Sequence, residues 1–259
     1  MARALIVVDL QADFCEGGRL AVAGSSAAAD SLARDILANP GAYDLIVATR
    51  DWHVSPGSHF ASNTGSSPNF IDTWPDHCLA DEPGSEFHPA IADLAARGIL
   101  VEVRKGMEGA AYSGFEGSVV DGGAIGPVSL EELLRSHGIE EIDVSGTATD
   151  YCVSSTALDG RRSGFDVTLL TRYCSAVSKG GGEAAITAMS AAGVTIKDGV
   201  LPATPTPDNV VTRVIAGSAI RTSTATPPKA MPSCGRYMPR ASTRCILAAG
   251  HEGGCRSRR

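Results

Sequence analysis

The stretch Gly146-Thr147-Ala148-Thr149-Asp150-Tyr151-Cys152-Val153 holds the residue on which a reaction could turn. Cys152 follows the apolar run Ile142-Asp143-Val144-Ser145 and precedes a segment with helical spacing, so it stands where a strand passes into a helix. A helix amino terminus offers unpaired N–H groups and the positive end of a dipole, which together lower a thiol pKa and cradle an oxyanion. Asp9 ends the first apolar run of the chain and Lys105 follows the third. Thiol, carboxylate and ammonium together suit attack on an amide carbonyl. The thiol is the nucleophile, the carboxylate takes and returns a proton, and the ammonium balances the charge on both.

A second group lies between Asp51 and His77. Asp51, His53, His59 and His77 supply one carboxylate and three imidazoles, half of the chain's six histidines. That donor set suits a divalent metal such as Zn, Fe or Mn, with positions left open for a ligand. Phe14, Trp74 and Tyr112, with Phe115, are candidates to wall a flat aromatic ligand. Cys15, Cys78 and Cys174 read as packed thiols, His88 as a turn or capping residue before Pro89, and His137 as a residue at a helix carboxyl terminus.

The elements that must position these groups alternate. Strands are expected over residues 3–9, 45–49, 99–103, 142–147, 166–170 and 194–196. Helices are expected from Ala27 to Leu37 with Ser25 or Ser26 as cap, from Ser129 with Glu132 placed for a capping box, from Tyr151 or Cys152 to about Ser163, and from Gly182 to Ala192. The pattern predicts an α/β fold, a six-stranded, mostly parallel sheet with helices on both faces. Ligands of such folds bind beyond the carboxyl ends of the strands, so Asp9, Asp51, Lys105 and Cys152 are expected to converge at one edge. The Pro-, Gly-, Ser- and His-rich stretch from Asp51 to Pro89 is too long for a passive connection.

Composition bounds the rest. The 259 residues carry a net charge of −7, unevenly spread: residues 201–259 hold nine Lys or Arg against two Asp or Glu, so the tail is +7 and the body −14. An acidic body argues against nucleic acid as a partner. No apolar run approaches membrane-spanning length and no signal segment is evident, so a cytoplasmic protein with reduced thiols, away from membranes, is expected. Residues 1–199 are expected to form one domain. Residues 200–259, rich in Thr, Pro, Ser, Ala and Arg, read as a low-complexity, disordered basic tail. Within it Cys234, Cys245, His251 and Cys255 have the residue types of a zinc site but spacings that fit no zinc pattern.

From about Arg3 to Ile196 the chain resembles the nicotinamidases of the pyrazinamidase type, within the isochorismatase-like cysteine hydrolase superfamily. The likeness rests on residues 7–18 (VVDLQADFCEGG), the Asp51/His53/His59/His77 set, Lys105-Gly106, residues 111–117 (AYSGFEG) and the stretch around Cys152. The resemblance implies a catalytic triad of Asp9, Lys105 and Cys152, a divalent metal on Asp51, His53, His59 and His77, and a substrate ring held by Phe14 and Trp74. It also implies a cis peptide between Thr147 and Ala148, with the N–H groups of Ala148 and Cys152 directed at an oxyanion. The implied reaction is hydrolysis of nicotinamide to nicotinate and ammonia through a thioester on Cys152, extending to pyrazinamide. Relatives acting on carbamoyl or ureido substrates generally lack the metal set, and a non-catalytic binding protein would have no need of an intact triad. Oligomeric state is left open.

Overall fold

The computed structural model of the protein describes residues 1–54, 59–70 and 73–202. The tail expectation, with Cys234, Cys245, His251 and Cys255, therefore lies outside the described residues. In chain order the elements are β1 (Ala2–Val8), α1 (Ser25–Ala38), β2 (Leu45–Asp51), α2 (Ala61–Thr64), α3 (Pro89–Ala96), β3 (Val101–Lys105), β4 (Ser118–Asp121), β5 (Ala124–Ser129), α4 (Leu130–Ser136), β6 (Ile139–Thr147), α5 (Ser154–Arg162), β7 (Asp166–Ser175), α6 (Lys179–Ala191) and β8 (Thr195–Lys197).

The strands form one sheet in the order β5-β4-β3-β2-β1-β6-β7-β8. All neighbouring pairs are parallel except β3–β4 and β4–β5. The sheet thus has eight strands among the described residues, not the six expected. The two additions come from the Gly-rich residues between Gly106 and Gly126, where Gly122 and Gly123 both take positive φ (57° and 87°) and close a hairpin between β4 and β5. Residues with positive φ at both turn positions match the twist of a two-residue hairpin, so Asp121-Gly122-Gly123 carried a readable signal that the apolar-run pattern overlooked.

β1 explains the layering. Ala4 to Val8 are fully buried. Ala4, Ile6 and Val8 face a cluster that includes Leu130 and Leu134 of α4, Ala157 of α5 and Met189 of α6. Leu5 and Val7 face Ala29, Leu32 and Ile36 of α1 and Ile91 and Leu94 of α3. A strand covered on both faces must be apolar at every position, and each fully buried Leu or Ile contributes roughly 1.5–3 kcal/mol. Among the described residues, no helix is long and apolar enough to cross a membrane.

Several local expectations hold. Ser129 and Glu132 form a reciprocal capping box, His88 caps α3 by accepting the Ala90 N–H, and His137 ends α4. Others shift. Neither Ser25 nor Ser26 caps α1 with its side chain; the Glu16 carboxylate accepts the N–H groups of Gly24 and Ser26 instead, and Ser25 Oγ lies 3.0 Å from Thr147 Oγ1. α6 starts at Lys179, because Ser178 accepts the Gly181 N–H and carries three glycines into the first turn. The chain after β6 first makes a π-helical turn over Thr149–Val153 and only then enters α5.

Candidate active site

β1 is the point where the strand order reverses, with β2 on one side and β6 on the other, and the crevice beyond its carboxyl end is where the expected residues meet. Asp9 leaves β1 with a positive φ of 48°. Asp51 and Lys105 close β2 and β3 as direct register partners, so their side chains leave the sheet on the same face. Cys152 lies in the π-helical turn that follows β6.

Asp9 and Lys105 are fully buried and Cys152 is 8% exposed. Lys105 Nζ lies 2.9 Å from Asp9 Oδ2, 2.5 Å from Asp51 Oδ1, 2.9 Å from the Ala111 carbonyl and 3.7 Å from Cys152 Sγ. Burial alone would lower the Lys105 pKa, but Asp51 and Asp9 hold it well above its ordinary value, so it remains an ammonium. Asp9 is raised by its burial, with Lys105 opposing, and its Oδ1 accepts the Thr49 hydroxyl at 2.6 Å. Thr49 was not identified from the sequence; its place two residues before Asp51 on β2 is the only trace it leaves there.

The thiol departs from the sequence expectation. Burial pushes Cys152 well above the usual cysteine range, with Lys105 opposing and the Asp9 and Asp51 carboxylates pushing it further up. In the resting site Cys152 is therefore a protonated thiol that shares Lys105 with Asp9, and desolvation outweighs the helix-end effect.

Two glycines are required by this geometry. At Gly106 (φ 74°) a Cβ would come 2.8 Å from the His53 ring. At Gly146 (φ 120°), opposite Val8, a Cβ would be driven into the β1 backbone. Beyond Gly146 the peptide between Thr147 and Ala148 is cis, as the resemblance implied.

Asp51, His53 and His77 bring ligand atoms within 4.8 Å of one another. Asp51 Oδ2 is 3.8 Å from His53 Nε2 and 3.9 Å from His77 Nε2. Nδ1 of His53 faces the Gly106 carbonyl at 2.5 Å and Nδ1 of His77 the Pro75 carbonyl at 2.7 Å. Carbonyls only accept, so each Nδ1 carries the proton and each Nε2 turns a lone pair toward Asp51. His53 Nε2 and both ring nitrogens of His59 are buried with no hydrogen-bond partner among the described residues. His59 stands apart from the three-residue group, its ring centroid 4.8 Å from that of His53. Burial, then the neighbouring His77 and His59, holds His53 at about 3, and burial lowers His59 too. Neutral imidazoles with unpartnered nitrogens beside a carboxylate fit a divalent cation.

The cavity beside these groups has an empty volume of about 520 Å³, open to solvent. Phe14, Trp74 and Tyr112 line it, as do Ala148, Cys152 and the four expected metal residues. Trp74 Nε1 donates to Tyr112 Oη at 3.2 Å and Phe14 packs 5.5 Å from the His77 ring. Tyr151, Leu20, Val22 and Val177 also line the cavity and were missed from the sequence. Tyr151, 5.2 Å from Trp74, could have been suspected as the residue before the thiol.

A buried thiol, carboxylate and ammonium at the switch point of a mostly parallel α/β sheet, with an imidazole–carboxylate set alongside, is the arrangement of a cysteine hydrolase. The chain belongs to the isochorismatase domain family, whose profile matches residues 3–199. It is 41% identical over 192 residues to the nicotinamidase/pyrazinamidase of Mycobacterium tuberculosis, covering 74% of this chain and 96% of that one. Among solved structures it is similar to the pyrazinamidase of Pyrococcus horikoshii in complex with zinc, with 31% identity, a TM-score of 0.58, and coverage of 76% of this chain and 99% of that one. It is likewise similar to PnC1 from L. infantum in complex with nicotinate, with 30% identity, a TM-score of 0.60, and coverage of 76% and 92%.

Proposed function

We propose that the protein hydrolyses nicotinamide to nicotinate and ammonia, a step of NAD salvage, and accepts pyrazinamide as well. The observation that carries this reading is Lys105 Nζ standing 3.7 Å from the Cys152 thiol and 2.9 Å from Asp9, beside a buried carboxylate–imidazole set in an aromatic-walled cavity. Relatives named for nicotinamidase and pyrazinamidase activity support it.

In the mechanism Phe14, Trp74 and Tyr112 hold the flat ring and keep water from its faces. Asp9 takes the thiol proton as Cys152 Sγ forms a bond to the carboxamide carbon, while Lys105 holds the opposing charge in place. The N–H groups of Ala148 and Cys152 receive the oxyanion. Asp9 passes its proton to the amide nitrogen, the C–N bond breaks and ammonia leaves a thioester. Asp9 then accepts a proton from water as the water attacks the thioester carbon. The C–S bond breaks, the sulfur regains the proton and nicotinate departs. Asp51, His53, His59 and His77 would hold a divalent ion, which would supply Lewis-acidic anchoring for a ring nitrogen. Zn, Fe and Mn all suit these donors, and the zinc-bound Pyrococcus horikoshii relative is consistent with the first.

We assign residues 1–199 to the hydrolase domain and residues 200–259 to a separate basic tail, and place the protein in the cytoplasm. Ammonia release from nicotinamide by the wild type and by Cys152→Ala, each before and after chelation, tests the function. Release by the metal-replete wild type alone is expected. No release from that sample would overturn the reading, and activity unchanged by chelation would remove the metal from it.

A further inference from the structure

Gln11, two residues beyond Asp9, has no place in the chemistry above, yet its side chain is fully buried and fully used. Its Nε2 donates to the Asp51 carbonyl and to the Ser85 carbonyl, each at 2.9 Å, and its Oε1 accepts the Asp51 N–H at 2.8 Å. The Asp51 peptide groups are thus gripped on both sides by one planar carboxamide. The Gln11 backbone is held in turn, its N–H on the Asp9 carbonyl at 2.8 Å and its neighbours paired across to the chain around Phe87, Ala12 N–H to the Glu86 carbonyl and His88 N–H to the Leu10 carbonyl, each at 2.8 Å.

The position of Asp51 matters twice. Its Oδ1 meets Lys105 and its Oδ2 faces His53 and His77. Asp51 is the last residue of β2, and His53, two residues on, pairs with the strand-like segment at Leu79. Asp51 is still paired with Lys105 on the β3 side, but the β1–β2 register ends at Val7–Ala48, so on that edge the side-chain clamp takes over. A carboxamide is suited to this task because it offers two donors and an acceptor in one plane. A carboxylate of the same size could accept the Asp51 N–H but would set oxygen against the two carbonyls.

We propose that Gln11 is a positioning residue for Asp51, holding the carboxylate where it serves the divalent-metal site and Lys105 together. The inference rests on the reading of Asp51 as a metal ligand. Groups that orient a ligand in this way typically change metal affinity 10–100-fold when altered.

The test is calorimetric titration of the chelator-stripped full chain with Zn²⁺, for the wild type, Gln11→Glu and Gln11→Met, at a temperature where circular dichroism shows all to be folded. Met keeps the length and removes every polar atom, so it serves if the added charge of Glu prevents folding. Tyr43→Phe is the control for general weakening, because it deletes the hydrogen bond from Tyr43 to Asp143, well down β6 from the site. Both Gln11 variants are expected to bind Zn²⁺ about 10–100-fold more weakly, and Tyr43→Phe to bind as the wild type does. Gln11 variants that bind as tightly as Tyr43→Phe would overturn the positioning role while leaving the metal site standing. A wild type that binds no Zn²⁺ would overturn the metal reading and this inference with it.

Discussion

Replacing Lys105 by Met removes the ammonium between two carboxylates while leaving a side chain of similar length. In the wild type Lys105 Nζ sits 2.9 Å from Asp9 Oδ2 and 2.5 Å from Asp51 Oδ1, and neither acidic side chain is more than 6% exposed. Deleting one partner of a buried ion pair costs about 3–5 kcal/mol, because the charge left behind has neither water nor a counter-ion. The cost must depend on pH. Burial already raises the Asp9 pKa above its ordinary value while Lys105 pulls against that rise, so the variant raises it further. A carboxyl group with a folded pKa above its unfolded one contributes stability that is complete below about pH 4 and is lost as pH rises through the folded value. The loss runs at about 1.4 kcal/mol per pH unit for each proton. Urea unfolding of chelator-treated wild type and Lys105→Met at pH 5, 6.5 and 8 should therefore give a deficit of several kcal/mol at pH 8 that narrows toward pH 5. A deficit that stays constant, or that widens as pH falls, would refute the account. Ammonia release should fall on the order of 100-fold or more, since the proton-transfer pair loses its charge partner.

Two further perturbations probe the frame around the site. Gly146→Ala places a Cβ against the Val8 backbone at a φ of 120°, and should cost roughly 3 kcal/mol or more in urea unfolding or abolish soluble expression. At the start of α1, hydrogen bonds from Ser26 and from the Gly24 N–H hold Glu16 at about 2. A depressed carboxylate contributes stability above its unfolded pKa that is lost as pH falls toward 2. The wild-type melting temperature should accordingly drop more steeply below pH 4.5 than that of Glu16→Gln, and parallel curves would remove Glu16 from the cap.

Much of the frame was legible because its signals are local. The unbroken apolar run at residues 4–8 announces a strand covered on both faces, and Ser129 with Glu132 announces a capped helix within four residues. Asp9, Lys105 and Cys152 each follow such an element, so an α/β topology alone brings them to one edge. The donor types between Asp51 and His77 gave the metal set, and the resemblance supplied the cis peptide.

Tertiary structure decided what depends on residues far apart in the chain. Lys105 touches Asp9, Asp51 and Cys152 across separations that no periodicity encodes. His59 is buried beside the other three residues expected to hold a metal, yet outside their closest grouping. The thiol pKa shows the difference most clearly. A helix amino terminus can be read from sequence and favours a thiolate, whereas the enclosure of Cys152 by β1, β3 and the cavity walls cannot be read, and desolvation wins. Thr49 and Gln11 were passed over for the same reason. A threonine in a strand and a glutamine after a turn look unremarkable until the fold buries them, when each must find partners, and here the partners are Asp9 and Asp51.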